Sequence, residues 1–247
     1  MSLMIERTLA KIAVRQLTGN RKVWWVALLA LLPALIAFIA VPRQTEQPIE
    51  IVMVLTRTLI VAVLLPLLAL VVGTGVFGAE IDDGTIAYVL GKPVPRWRIV
   101  LTRIVVAGAA TAVLLVPATL LTGVAGLGRL DADGVVLALS AAVAVGGLLY
   151  CALFVALSLT TRRALIAGLA YVVVWEGSLS RLFAGTRALS IREYTMSLAE
   201  ALAGGKDNII NAGLDGRTAL IMATIVAVLA TVHAIRRLKR FEIGEAV

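Results

Sequence analysis

Apolar residues come along this chain in long blocks, set apart by short stretches rich in Arg, Asp, Glu, Gly and Pro. A run of about 18 or more apolar residues with few charges is long enough for a helix to cross a bilayer. The blocks predict six transmembrane helices, at residues 23–41, 51–78, 99–121, 134–159, 164–178 and 218–235. Trp24 and Trp25 open the first, where aromatic residues gather at the headgroup level. Pro117 falls toward the far end of the third. The expected fold is therefore all-α, a polytopic membrane protein forming a single transmembrane domain over residues 1–247.

The intervening stretches carry patterns of their own. In residues 1–22, Arg7, Lys11, Arg15 and Lys22 fall on one helical face and Ile5, Leu9, Ile12 and Ala13 near the opposite one. That predicts an amphipathic helix lying in the headgroup layer with its cations toward anionic lipid. Asp131-Ala132-Asp133 and Thr160-Thr161-Arg162-Arg163 read as tight turns. The longest non-spanning stretch, 179–217, contains Ser190-Ile191-Arg192-Glu193, the form of a capping box. Ile191, Tyr194, Leu198 and Leu202 then recur at helical spacing, and Gly204-Gly205 supplies a stop. The expectation is an extracytoplasmic helical segment, with a short helix tucked against the membrane on the outer side. Residues 236–247 form a basic tail.

Composition agrees with this class and removes others. The 247 residues are 60% hydrophobic and 15% charged, against about 25% charged in soluble domains. Net charge is +8, which in a soluble protein would suggest nucleic acid. Here membrane topology accounts for it, because Lys and Arg collect in cytoplasmic segments. Of the 23 basic residues, 15 fall in the N-terminal segment, the break after the second span, the turn after the fourth and the C-terminal tail. The remaining 8 fall on the other side. The excess places both termini in the cytoplasm, with six crossings and no role for nucleic acid. The single cysteine, Cys151, excludes an intrachain disulfide, and no Cys/His metal spacing occurs. Residues 1–20 have no apolar core followed by a small-residue cleavage site, so no cleavable leader is expected.

The break at 80–98 differs from an ordinary solvated loop. Ile81, Thr85, Tyr88 and Val89 recur at helical spacing, and Gly91 and Pro93 end the run. An apolar stripe on a helix outside the membrane marks a surface for a partner. The chain has no phosphate-binding loop of its own: Gly91-Lys92 is followed by Pro93, and Gly205-Lys206 by Asp207.

This segment resembles the signature of ABC-2 type transporter permeases, the membrane-spanning subunits of ABC exporters. The matching residues are Glu80, Gly84-Thr85, Leu90, Pro93, Arg96 and Arg103, and the layout around them is similar too. Asp82 and Asp83 depart from the pattern, where the family often has basic or mixed charge. The resemblance implies that 80–98 holds a coupling helix docking into a separate ATPase subunit. Glu80, Asp83, Gly84, Thr85, Tyr88, Leu90, Pro93, Arg96 and Arg103 would then be the coupling residues. It also implies two ATPase copies, ATP and Mg bound on that partner and no cofactor on this chain, and a second permease copy or homologue completing the path. The activity implied is ATP-driven export of a hydrophobic or amphipathic compound (a drug, lipid or peptide) across a bacterial cytoplasmic membrane. Arg outnumbering Lys by 18 to 5 associates with GC-rich bacterial genomes.

Two other classes compete. An intramembrane enzyme needs convergent polar groups, and the spans carry isolated charges. A structural or assembly subunit would not need an apolar coupling helix. Among the isolated charges, Glu176 near the end of the fifth span is a candidate for the translocation path or a partner for Arg181. Arg57 is a path candidate or a snorkelling anchor. His233 is expected at the interface beside the basic tail. Cys151, Gly73, Gly75, Gly146 and Gly147 are expected in close helix contacts.

Overall fold

The computed structural model describes residues 25, 28–40, 48–82, 95–127, 134–161, 163–179, 188–204, 210 and 212–240, with backbone alone at 40, 78–82 and 179. Among the described residues every element is helical. In chain order they are α1 (Leu32–Ala40), α2 (48–82), α3 (Arg96–Leu127), α4 (Val135–Ser158), α5 (164–179), α6 (Ile191–Leu202) and α7 (Gly216–Arg240).

Among the described residues four helices are long and apolar enough to cross a membrane: Pro48–Phe77, Arg96–Leu127, Val135–Ser158 and Gly216–Arg240. Ala164–Ser178 is apolar but shorter. The block expected at 99–121 is part of a longer helix, because α3 continues past Pro117 to Leu127. Pro117 lies on the exposed side of α3. At 32 residues α3 is about 48 Å long, more than the ~30 Å hydrocarbon core, so it leans or projects. The interface helix expected at 1–22, with Arg7, Lys11, Arg15 and Lys22, lies outside the described residues.

Two helices change their winding midway. In α2, Pro48–Leu55 is α-helical, Thr56–Leu64 is π-helical and Leu65–Asp82 is α-helical again. The Leu65 N–H accordingly donates to the Ile60 carbonyl, five residues back. In α5, Ala164–Ala170 is followed by a π-helical stretch, Tyr171–Leu179. Such winding is rare and concentrates at functional sites.

α4 is the central helix and packs against α2, α3, α5, α6 and α7. Its small residues explain why. In lipid, helices gain little from hydrophobic exclusion and associate by close packing. A Cβ on Gly147 would stand 3.1 Å from the Thr111 methyl on α3, and one on Gly73 of α2 would stand 3.5 Å from the Cys151 Cα. Cys151 is fully buried there, its Sγ 3.4 Å from Thr111 Oγ1. Hydroxyls in the spans mostly turn back onto their own helix: Thr111 donates to Ala107 O, Thr119 to Leu115 O and Ser140 to Val136 O. This satisfies them where water is absent.

The interior divides in two. One apolar cluster fills the middle of the bundle, from Ile60 and Leu65 on α2 through Ala142 and Phe154 on α4 to Ile191 and Tyr194 on α6. A second lies at the end where Arg96, Arg98, Arg163 and Arg236 gather. It joins Phe77 on α2, Ile99, Val100 and Ile104 on α3, Ala152, Val155 and Ala156 on α4, and Ala230, Ala234 and Leu238 on α7. α5 contributes nothing to this second cluster among the described residues.

Candidate functional site

The second cluster is overlaid by three polar ties, all at the basic end of the bundle. Arg103 is 1% exposed although charged. It lies about two turns into α3, and its Nη1 donates to the Val76 carbonyl on α2. Its guanidinium also stands 5.0 Å from the centre of the Phe77 ring. A planar cation suits both contacts: it stacks on a ring face while its edge donates. Arg96, the first residue of α3, donates from Nη1 to the Leu238 and Lys239 carbonyls of α7, at 3.2 and 2.7 Å. Thr160 Oγ1, in the turn after α4, is 3.0 Å from His233 Nε2 on α7. His233 is thus at the basic end, nearly one turn from Arg236. Arg98 folds over the exposed Trp97 ring at 5.2 Å.

These ties bracket the expected coupling segment. Asp83, Gly84, Thr85, Tyr88, Leu90 and Pro93 lie outside the described residues. The backbone at Glu80 continues α2, and Arg96 begins α3. Arg96 and Arg103, grouped with the coupling residues by sequence, both point inward to neighbouring helices.

A second polar centre lies deeper, where α5 meets α6. Ser190 is the N-cap of α6, its Oγ accepting from the Glu193 N–H at 3.3 Å. Sequence reading missed what stands opposite. The Glu176 carboxylate, 3% exposed, accepts from Ser190 Oγ at 2.6 Å, from the Ile191 N–H at 2.9 Å and from Tyr171 Oη at 3.3 Å. A negative charge at a helix N-terminus meets unpaired N–H groups and the positive end of the dipole. Tyr194 Oη donates back to Ala188 O at 2.5 Å. Burial, then the Glu176 carboxylate, push the Tyr194 phenol above its ordinary range.

α6 packs against α4, α7 and the π-helical stretch of α2. A Cβ on Gly146, at the midpoint of α4, would overlap Thr195 Oγ1. At the other end of α6, Ala201 crowds Gly216 at the start of α7. So α6 begins at mid-bundle, against the end of α5, and runs away from the basic end. Of the expected face, Ile191 and Tyr194 are buried and Leu198 packs against the core, together with Thr195, Met196, Ser197 and Ala199, while Leu202 is 59% exposed. Gly204, with φ +77°, ends the helix where expected.

Arg181, the alternative partner for Glu176, lies outside the described residues. Arg57 is half-buried on the π-helical stretch of α2, and Glu176 sits on that of α5. Thr56 Oγ1 and Ser197 Oγ are buried without a hydrogen-bond partner. Among the described residues no group of His, Cys, Asp and Glu is placed to hold a metal.

A family model described as ABC-2 family transporter protein matches residues 7–242. The chain belongs to the ABC-2 transporter family. No curated protein matches it. Members of this family are membrane subunits of ABC transporters, so the ABC-2 permease described here is a transport subunit with apolar membrane-spanning helices, as its composition predicted. The match covers both polar centres, the ties at the basic end and the Glu176 contacts of α6.

Proposed function

We propose that this permease makes six crossings with both termini in the cytoplasm, and that residues 80–98 form a coupling helix docked on a separate ATPase subunit. Two ATPases and two permeases, identical or homologous, would complete the transporter. ATP and Mg belong to the ATPase partner. The basic end of the bundle is then the cytoplasmic end, consistent with the excess of Lys and Arg there. The observation that carries the reading is the packed cluster of α2, α3, α4 and α7 beside residues 80–98. A push delivered between α2 and α3 meets four helix ends tied together, which suits rigid-body transmission.

The cargo we assign is hydrophobic or amphipathic, and the direction is export. The walls offered by α1, α5 and α7 are apolar on their exposed sides, with Phe38, Ile166 and Leu229 more than half exposed. The path is placed along the two π-helical stretches, past Arg57 and the junction of α5 with α6. Glu176 there serves α6 first.

The test is co-purification with the ATPase. Glu80→Gln and Gly84→Val are expected to lose the bound ATPase, or its stimulation by the permease, while membrane insertion is unchanged. Full ATPase association and full stimulation in both variants would sink the coupling assignment.

A further inference from the structure

We propose that Arg96 is a positioning residue that makes α7 move as one body with the coupling segment. The inference rests on the coupling reading above and adds the last helix to what the ATPase drives.

Arg96 is the first residue of α3, immediately after the segment at 80–95. Among the described residues both of its hydrogen bonds go to α7, to the carbonyls of Leu238 and Lys239. α7 is described to Arg240, so these carbonyls lie in its last described turn. The negative end of the α7 dipole also favours a guanidinium there. Arg96 thus caps a helix that begins 120 residues later in the chain.

A directional tie is needed because the apolar contact is smooth. On the second cluster α7 contributes Ala230, Ala234 and Leu238, with Ile235 partly buried against it. With two of the three buried positions alanine, few bulky side chains fix its register. Only 22% of the spanning part of α7 is buried, so the rest of the helix adds few restraints. Two charge-assisted hydrogen bonds at its end therefore define its position along and around its axis. Arg96 is also half-buried rather than displayed. Its role is inward, to α7, and not on the ATPase docking face.

The test uses the permease–ATPase complex in lipid nanodiscs, with spin labels at Trp97→Cys and Arg240→Cys. Cys151 is fully buried and takes no label. The interlabel distance is expected to be the same in nucleotide-free and vanadate-trapped complexes. Arg96→Ala is expected to broaden the trapped distribution at least twofold and to lower permease-stimulated ATPase several-fold, with the ATPase still bound. Arg96→Lys, which can donate to the same carbonyls, is expected to restore most of both. A distance that changes on trapping with Arg96 intact overturns the proposal, as does an Arg96→Ala distribution as narrow as the parent. Failure of any ATPase to co-purify with the unmodified permease overturns the coupling reading itself, a result the spin-label comparison cannot mimic.

Discussion

The Glu176 carboxylate receives the backbone N–H of Ile191 at 2.9 Å, joining the end of α5 to the start of α6. With Ser190 Oγ on its other oxygen, it fixes where α6 begins. Glu176→Ala leaves a buried hydroxyl and a buried N–H without an acceptor, at about 3 kcal/mol. Glu176→Gln keeps one acceptor oxygen and should lose about half as much. The check is the thermal unfolding midpoint in mild detergent. Maleimide labelling of Ser197→Cys, at a site 1% exposed in the parent, should rise with Glu176→Ala; unchanged labelling would mean that α6 is held by its apolar face alone.

Gly146 has no room for a methyl group while Thr195 stands opposite. Gly146→Ala should destabilise by about 1–3 kcal/mol through overpacking. Adding Thr195→Ala removes the crowded atom and should recover more than half of the loss. Two costs that simply add would show that the contact is not the cause.

Arg103 joins α2 to α3 through a carbonyl and a ring. Arg103→Ala should cost about 2–3 kcal/mol, since a buried carbonyl loses its donor. Arg103→Lys should recover only part, because an ammonium cannot stack flat on Phe77 and donate sideways at once. Phe77→Leu, tested in the Arg and Lys backgrounds by unfolding in detergent, separates the two contacts: it should cost more in the Arg background.

The bundle was legible in the sequence wherever a rule is local. Apolar runs marked the helices, Ser190 and Glu193 marked the start of α6, and Gly204 its end. What α6 does in the fold was not legible. Its Tyr194, Leu198 and Leu202 repeat suggested an apolar face, but the face buried carries Thr195 and Ser197. Those small polar side chains fit inside because Gly146 opens a notch in α4, a match between residues about fifty positions apart. Glu176 was ambiguous for the same reason. Its partners lie 14 and 15 residues on, and no helical period links them. Arg103, at the start of a span, was grouped with the coupling residues by the resemblance. That α2 covers it depends on the crossing of α2 and α3, which no sequence rule gives.

The cluster of α2, α3, α4 and α7 also sets an order of events during synthesis. Phe77 and Ile99 leave the ribosome well before Leu238, which follows Ile99 by about 140 residues. Until α7 is inserted, the basic ends of α2, α3 and α4 lack their fourth neighbour, and Arg96 has no carbonyls to hold. A nascent or truncated chain that lacks α7 is thus unable to brace the flanks of the segment at 80–98.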